Sequence, residues 1–170
     1  AKEIMSSLLS FNEKIGVFAD EKRNRVEKLS SELGLKIIQF HGNETPQECA
    51  YFVDRGFRVI RALRVKDSSI ISTVSEFENC TILLDSFVYG KLGGTGKKFD
   101  WTLAKSISER KSIILSGGLN PLNVKEAVME VAPYGVDVSS GVEMVDRRRK
   151  DPELVRKFIS NAKGVLSKGK

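Results

Sequence analysis

The sequence predicts an α/β fold in which strands and helices alternate through a single domain, residues 1–170. Two observations predict it: short apolar runs rich in β-branched residues recur along the chain, and amphipathic segments separate them. The runs start 22, 23, 21, 32 and 23 residues apart, close to the combined length of one strand, one helix and two short loops. The predicted strands cover residues 14–20, 36–42, 59–65, 80–86, 112–118 and 135–141.

The intervals between these strands carry helical periodicity. In the first interval Val26, Leu29 and Leu33 fall on one helical face, and Gly34 follows as a C-cap. Later intervals repeat the pattern, so each strand is expected to be followed by a helix. The other predicted apolar faces are Ile70, Ile71, Val74 and Phe77; Val124, Ala127, Val128 and Val131; and Leu154, Val155, Phe158, Ile159 and Ala162.

Proline positions predict where three of the helices begin. Proline is tolerated at the first helical position because that amide has no partner inside the helix, and the residue before it often caps the helix. Thr45 and Glu48 also have the spacing of a capping box. The three pairs are Thr45-Pro46, Asn120-Pro121 and Asp151-Pro152.

Strict alternation of strands and helices implies a parallel sheet with right-handed crossovers. The two architectures of this kind are a doubly wound open sheet and a (β/α)8 barrel. The repeat length, and two glycine-containing strand ends late in the chain, favour the TIM (β/α)8-barrel family. About six of its eight units are present. We therefore expect the chain to begin inside the second unit, with residues 1–9 as the end of an earlier helix.

The amino-acid composition limits the classes of protein to which this chain can belong. Hydrophobic residues make up 41% and charged residues 29%, as is usual for a globular domain. No apolar run approaches the roughly 20 residues that span a membrane, and the N-terminus carries no signal-peptide pattern. Two cysteines do not form a disulfide framework, so a cytoplasmic location is predicted.

The net charge of +6 raises the question of a polyanionic partner. The charges are spread along the chain, and the dense basic run at residues 147–150 has no interleaved aromatic residues. We therefore predict no nucleic-acid partner. A solvated basic surface that attracts an anionic metabolite fits the pattern better.

Asp85 is the first candidate for chemistry. It follows the apolar run at residues 81–84, and the glycine-rich segment 93–96 comes after it. A carboxylate at the carboxyl end of a buried strand lies at the functional edge of an α/β fold. Burial would favour its protonated form and allow it to donate a proton near neutrality. The alternatives are a surface helix cap and an ion-pair partner.

Two further strand ends have the composition of anion-binding loops. Gly117 and Gly118 follow Ser116 at the end of the fifth predicted strand, and Ser140 and Gly141 end the sixth. Glycine lets the backbone approach an anion, while hydroxyls and free amides act as donors. Their position on the last two strands matches the usual phosphate site of a barrel. The alternative is two turns that need glycine only for their conformation.

For the remaining candidate residues, the sequence indicates a function less clearly. His41 is the only histidine, so it is either a packed group or a substrate contact. No Cys/His cluster exists, and we expect no metal. Cys49 falls in a helix. Cys80 opens its strand about 16 Å from Asp85, at ~3.3 Å per residue, and should not share a site with it.

Taken in order, five motifs resemble the phosphoribosylanthranilate isomerase family, and the similarity runs from about residue 16 to residue 163. The motifs are Gln39-Phe40-His41-Gly42-Asn43-Glu44, Leu83-Leu84-Asp85, Gly93-Gly94-Thr95-Gly96-Lys97 with Phe99-Asp100-Trp101, Leu115-Ser116-Gly117-Gly118-Leu119-Asn120-Pro121, and Val136-Asp137-Val138-Ser139-Ser140-Gly141-Val142-Glu143.

This resemblance implies an aldose–ketose isomerase of tryptophan biosynthesis that uses neither cofactor nor metal. The small-molecule substrate would be N-(5-phosphoribosyl)anthranilate, and an Amadori rearrangement would convert it to 1-(2-carboxyphenylamino)-1-deoxyribulose 5-phosphate. The protein would be a monomer or a homodimer. By motif, Asp85 would be the general acid. The phosphate would be bound by Gly117, Gly118, Ser140 and Gly141. His41 and Asp137 would line the substrate pocket. The loop with Gly94 and Gly96 would close over the substrate.

The sequence departs from the family pattern in one respect. The family's general base is a cysteine on the first strand, in a Lys-Ile-Cys-Gly-type motif, and an arginine after the second strand meets the anthranilate carboxylate. Neither segment has a counterpart here, because predicted strand 14–20 matches the third. We therefore expect about the first quarter of the enzyme to be missing, and this chain alone to have little activity.

Two other functions fit parts of the sequence. The chain could be a folding fragment, or half of a split barrel completed by a partner segment. It could also be another phosphate-sugar barrel enzyme, such as an epimerase or an indole-forming synthase. That last class shares the terminal phosphate loops but does not explain the segments at residues 39–42 and 99–101.

Overall fold

The computed structural model describes residues 13–85, 101–146 and 149–166, and within these ranges strands and helices alternate as predicted. Each observed strand lies inside its predicted range or within one residue of it. The strands are β1 (Ile15–Phe18), β2 (Ile37–Phe40), β3 (Arg58–Arg64), β4 (Thr81–Asp85), β5 (Ile113–Ser116) and β6 (Gly135–Val136). The helices are α1 (Arg23–Leu33), α2 (Pro46–Val53), α3 (Ile70–Ser75), α4 (Trp101–Ser108), α5 (Val124–Val131) and α6 (Pro152–Leu166).

The strand order in the sheet is the chain order, β1-β2-β3-β4-β5-β6. A helix follows each strand, as the crossovers of a parallel sheet require. The described residues divide into two compact units, residues 13–63 with 72–82, and residues 64–71 with 83–85, 101–146 and 149–166. Strand β4 begins in the first unit and ends in the second.

In the first unit, β1, β2 and β3 pair in parallel, with Ile15 opposite Ile37 and Ile37 opposite Arg58. Every residue of β2 is buried, as expected for an apolar strand covered on both faces. Helix α2 covers β2 through Phe52, whose ring centroid lies 5.3 Å from that of Phe40. Strand β1 is less covered than β2: Ile15 is 45% exposed and Val17 is 61% exposed.

Local signals at the helix ends of the first unit are confirmed. Gly34 ends α1 in the left-handed conformation, and its amide donates to the carbonyls of Ser30 and Ser31. Thr45 and Glu48 form the predicted capping box. The Glu48 amide donates to Thr45 Oγ1 at 3.2 Å, and the Thr45 amide donates to Glu48 Oε2 at 2.8 Å. These caps satisfy amides and carbonyls that a short helix leaves without partners.

In the second unit, β5 and β6 pair in parallel, with Leu115 opposite Val136. Helices α4, α5 and α6 bury Ala104, Val124 and Phe158 in the core of this unit. No helix within the described ranges is long and apolar enough to cross a membrane.

One predicted helix start is wrong. Helix α5 begins at Val124 rather than directly after Asn120-Pro121. The Asn120 side-chain oxygen accepts from the amides of Leu122, at 2.8 Å, and Asn123, at 3.3 Å, and so holds a separate turn before the helix. The start of α6 is as predicted: Asp151 Oδ1 accepts from the Glu153 amide at 2.8 Å, and Pro152 is the first helical residue.

Candidate active site

Asp85 ends β4 at the boundary between the buried strand and solvent. Leu83 and Leu84 before it are almost completely buried, while Asp85 itself is half-buried. Its backbone carbonyl accepts from the Val65 amide at 3.0 Å, so the end of β4 is fixed by the backbone. The following segment, with Gly94 and Gly96, lies outside the described residues. The sequence therefore placed this carboxylate correctly at a strand end.

The β5 loop (residues 117–120) has a backbone conformation that favours glycine. The φ angles of Gly117 and Gly118 are +84° and +66°, in the left-handed region where other side chains are strained. Buried Leu119 anchors the loop, and the Asn123 side-chain amide donates to the Gly118 carbonyl at 3.0 Å. Two consecutive left-handed residues turn the chain sharply at the carboxyl end of β5.

The β6 loop (residues 137–143) lies directly against the β5 loop. It contains a single 3-10 turn, Ser140–Val142, with Val142 buried and Ser140 exposed. A Cβ atom on Gly141 would collide with the Leu119 carbonyl oxygen. Glycine is required here because the backbones of the two loops touch. The sequence predicted two neighbouring glycine loops, and the structure brings them into contact.

A side-chain hydrogen bond also joins the two strand ends. Ser116, only 8% exposed, donates from Oγ to Asp137 Oδ2 at 2.9 Å. The Asp137 amide donates to the Leu115 carbonyl at 2.9 Å, which continues the pairing of β5 with β6. The Asp137 residue is otherwise exposed, so its carboxylate can meet a polar ligand.

His41 belongs to the first unit, where it follows β2. Its amide donates to the Phe18 carbonyl at 2.8 Å, and its Nδ1 lies 3.3 Å from Nε2 of Gln39. The residue is half-buried. Backbone pairing and the Gln39 contact therefore hold the imidazole at a strand end, as the sequence predicted.

Comparison with known protein families identifies the family of this chain. Residues 1–161 match the family model described as N-(5'-phosphoribosyl)anthranilate (PRA) isomerase. The chain belongs to the PRA isomerase family. Since the model covers nearly the whole chain, the five motifs are parts of one continuous match rather than isolated similarities.

Individual relatives agree with the family match. The N-(5'-phosphoribosyl)anthranilate isomerase of Desulforamulus reducens is 39% identical over 165 residues, covering 97% of this chain and 77% of the relative. The crystal structure of phosphoribosyl anthranilate isomerase from Thermotoga maritima superimposes with a TM-score of 0.86 at 36% identity, covering 96% of this chain and 78% of that one.

A solved PRA isomerase in complex with reduced 1-(o-carboxyphenylamino)-1-deoxyribulose 5-phosphate also matches. Its TM-score is 0.83 at 34% identity, covering 96% of this chain and 77% of that chain. These matches confirm the predicted fold class, the TIM (β/α)8-barrel family with six strand–helix units among the described residues.

A buried ion pair in the PRA isomerase chain was not predicted from the sequence. Arg61 and Glu44 are 6% and 7% exposed, with Arg61 Nη1 3.6 Å from Glu44 Oε2. Glu44 accepts from the amides of Asp20 at 2.7 Å and Gly42 at 2.9 Å. Arg61 donates to the carbonyls of Phe40 at 3.2 Å and Gly42 at 3.0 Å. The available signal was two arginines, Arg61 and Arg64, inside the apolar run 59–65.

The two cysteines lie together in the first unit, and both are buried. A hydrogen bond with Cys80 and burial raise the pKa of the Cys49 thiol well above its ordinary value. Since the thiolate is the reactive form, Cys49 is poorly suited to act as a base or nucleophile. Cys80 precedes β4, whereas Asp85 ends it, in agreement with the prediction that the two do not share a site.

Proposed function

We propose that this chain provides the general acid and the phosphate site of a PRA isomerase. The reaction would be the Amadori rearrangement of N-(5-phosphoribosyl)anthranilate to 1-(2-carboxyphenylamino)-1-deoxyribulose 5-phosphate. The observation that carries the proposal is the contact between the β5 and β6 loops, made by Gly141 against Leu119, in a chain of this family. The solved relative that binds a reduced form of this product supports the choice of substrate.

The phosphate would be held mainly by backbone amides. Gly117 and Gly118 in the β5 loop, and Ser140 and Gly141 in the β6 loop, present a glycine-rich surface that an anion can approach closely. Such amides interact with a phosphate equally in the ground state and the transition state. These hydrogen bonds would therefore contribute mainly to substrate affinity, and they would orient the sugar for the chemical step.

Asp85 would act as the general acid. A protonated Asp85 carboxyl transfers its proton to the ribose ring oxygen, the C1′–O bond breaks, and the anthranilate nitrogen lone pair forms the iminium. A base then removes the proton from C2′ to give the enolamine, which tautomerises to the ketone. The position of Asp85 at the carboxyl end of β4 supports this role, because that edge is where an α/β fold places its functional side chains.

The base would come from the family's first-strand cysteine, which has no counterpart in the printed sequence. Cys49 and Cys80 are poor substitutes because both are buried. His41 and Asp137 would contact the substrate, and the loop with Gly94 and Gly96 would exclude water from it. This route consists of proton transfers and needs no cofactor.

The experiment compares turnover of the chain with and without an N-terminal segment carrying a Lys-Ile-Cys-Gly-type motif. Turnover is followed as loss of anthranilate fluorescence. We expect little activity without the segment and clear activity with it. In the active form, Asp85→Asn should lower kcat by about 10²–10⁴-fold, the usual contribution of general acid–base catalysis.

Asp54→Asn is the matched control, since Asp54 is an exposed carboxylate at the end of α2 and loses the same charge. It should retain full turnover. Near-normal kcat in Asp85→Asn would show that another group is the acid. Absence of turnover in the completed form, with Asp85 present, would contradict the proposed function itself.

A further inference from the structure

Lys150 lies beside the candidate phosphate site but has no part in the reaction described above. In the sequence it is the last residue of the basic run 147–150, which was interpreted as a solvated surface. In the structure its Nζ donates to the Ser139 carbonyl at 2.8 Å, to Ser139 Oγ at 3.1 Å and to Glu143 Oε1 at 2.7 Å. The three donors of the ammonium group are therefore directed at the β6 loop.

Among the described residues, few hydrogen bonds form within the 3-10 turn of the β6 loop. Ser139 precedes the 3-10 turn with φ −120° and ψ −81°, and its side chain makes no capping hydrogen bond. Within the turn, the Val142 amide donates to the Ser139 carbonyl at 3.5 Å, which is a long contact. The Glu143 amide donates to the Ser140 carbonyl at 3.1 Å. The contacts from Lys150 add to these two hydrogen bonds.

The backbone fixes the position of Lys150 opposite Glu143. These two residues form an antiparallel bridge, and the Asp151 amide donates to the Val142 carbonyl at 2.8 Å. Asp151 then caps α6 through its side chain. Lys150 thus connects Ser139 and Glu143, which flank the 3-10 turn, to the start of a 15-residue helix.

Two separate sets of contacts therefore hold the turn. Gly141 is pressed against the Leu119 carbonyl of the β5 loop, and Lys150 holds Ser139 and Glu143. In sequence, Ser140 and Gly141 lie between Ser139 and Glu143, the two residues that Lys150 contacts. Because the Glu143 carboxylate neutralises the nearby ammonium charge, Lys150 acts on the loop's geometry more than on a ligand's charge.

We propose that Lys150 is a positioning residue for phosphate binding, fixing the amides of Ser140 and Gly141 through its contacts with Ser139 and Glu143. This inference rests on the proposed phosphate site. It predicts that loss of Lys150 weakens phosphate binding without removing a group that contacts the reacting atoms. In an active form, KM should rise while kcat changes less than about twofold.

The test uses inorganic phosphate as the probe, so that it does not depend on turnover. Amide resonances of the 170-residue chain are followed by NMR during a phosphate titration, and the Kd is fitted from the shifts of Gly117, Gly118, Ser140 and Gly141. We expect Lys150→Met to raise this Kd about tenfold. Lys150→Arg should recover part of the affinity, because it restores a cation able to donate to Ser139 and Glu143.

Two further variants keep the test decisive. Lys125→Met removes the same charge from an exposed position of α5 and should leave the Kd unchanged. Glu143→Gln weakens the other end of the Lys150 contact and should raise the Kd less than Lys150→Met does. If Lys150→Met does not fold, the effect of Glu143→Gln decides the question.

The outcomes separate this inference from the proposed function. Phosphate binding at the four amides with no effect of either variant would overturn the role of Lys150 and leave the site intact. Equal losses in Lys125→Met and Lys150→Met would show a general charge effect and also overturn it. No shift of the four amides in the unmodified chain would overturn both the phosphate site and the inference. Failure of turnover alone, with phosphate binding retained and weakened in Lys150→Met, would contradict only the isomerase proposal.

Discussion

Gly141 allows the two candidate phosphate loops to approach each other closely. Its missing side chain lets the β6 loop touch the Leu119 carbonyl, and any Cβ there would force the loops apart. Gly117 and Gly118 are required for a different reason, their positive φ angles. Glycine in these two loops therefore reflects a close contact in one case and backbone conformation in the other.

Replacing Gly141 by alanine should separate the loops. We expect Gly141→Ala to reduce the free energy of unfolding by about 1–3 kcal/mol, the usual effect of overpacking, and to weaken phosphate binding at least tenfold. Denaturant unfolding and phosphate titration measure the two effects.

Gly164→Ala is the matched control, because a Cβ at Gly164 in α6 would meet no atom within 4 Å. It should be neutral, or stabilise by about 0.5–1 kcal/mol, because alanine lowers the conformational entropy of the unfolded chain. Equal destabilisation by both substitutions would mean that the Gly141–Leu119 contact does not limit the loop.

At the scale of elements, the Arg61–Glu44 pair connects several chain segments in the first unit. Arg61 comes from β3 and binds carbonyls at and after the end of β2, while Glu44 binds the amide of Asp20, which follows β1. The pair therefore connects the middle of β3 to the carboxyl ends of β1 and β2, including the segment that carries His41.

Removing one partner of this buried pair should be strongly destabilising, because the other charge is left buried without its partner. We expect Arg61→Met to lower the free energy of unfolding by about 3–5 kcal/mol. Chemical denaturation monitored by circular dichroism measures it. Replacing Glu44 by glutamine in the same protein should recover part of the loss.

Arg58→Met tests the same substitution in the same strand at the surface. Arg58 pairs with Glu13, and both side chains are more than 60% exposed. Exposed pairs contribute little, so the change should be within about 1 kcal/mol. A loss as large as that of Arg61→Met would contradict the importance of burial.

At the scale of the whole molecule, burial differs between the strands at the ends of the sheet order and those inside it. In the first unit β2 is completely buried, whereas β1 exposes Ile15 and Val17. In the second unit most of β5 is buried, whereas β6 is only half-buried. Each unit therefore has a well-covered strand beside a less covered one.

This difference should appear in hydrogen exchange. We expect amides in β2 to exchange at least about tenfold more slowly than those in β1, and amides in β5 more slowly than those in β6, because local opening exposes the less covered strand first. Exchange measured by mass spectrometry on overlapping peptides makes both comparisons. Uniform protection across β1 and β2 would show that the two strands open together.

Much of the fold was predictable because its signals are local. Six strands, the order of strands and helices, the Gly34 C-cap and the Thr45–Glu48 capping box depend on residues close together in the chain. The helix start at Asn120-Pro121 was misplaced because Asn120 caps a separate turn instead, a choice between two local structures that the sequence pattern does not resolve.

The sequence by itself determined the alternating fold, the carboxylate at the end of β4 and the two glycine loops. Only the tertiary structure decided that Gly141 touches Leu119, that Arg61 pairs with Glu44, and that Lys150 holds Ser139 and Glu143. Periodicity and capping act between residues a few positions apart. These three contacts instead depend on how folded loops and strands pack, and packing sets which distant side chains come within bonding distance.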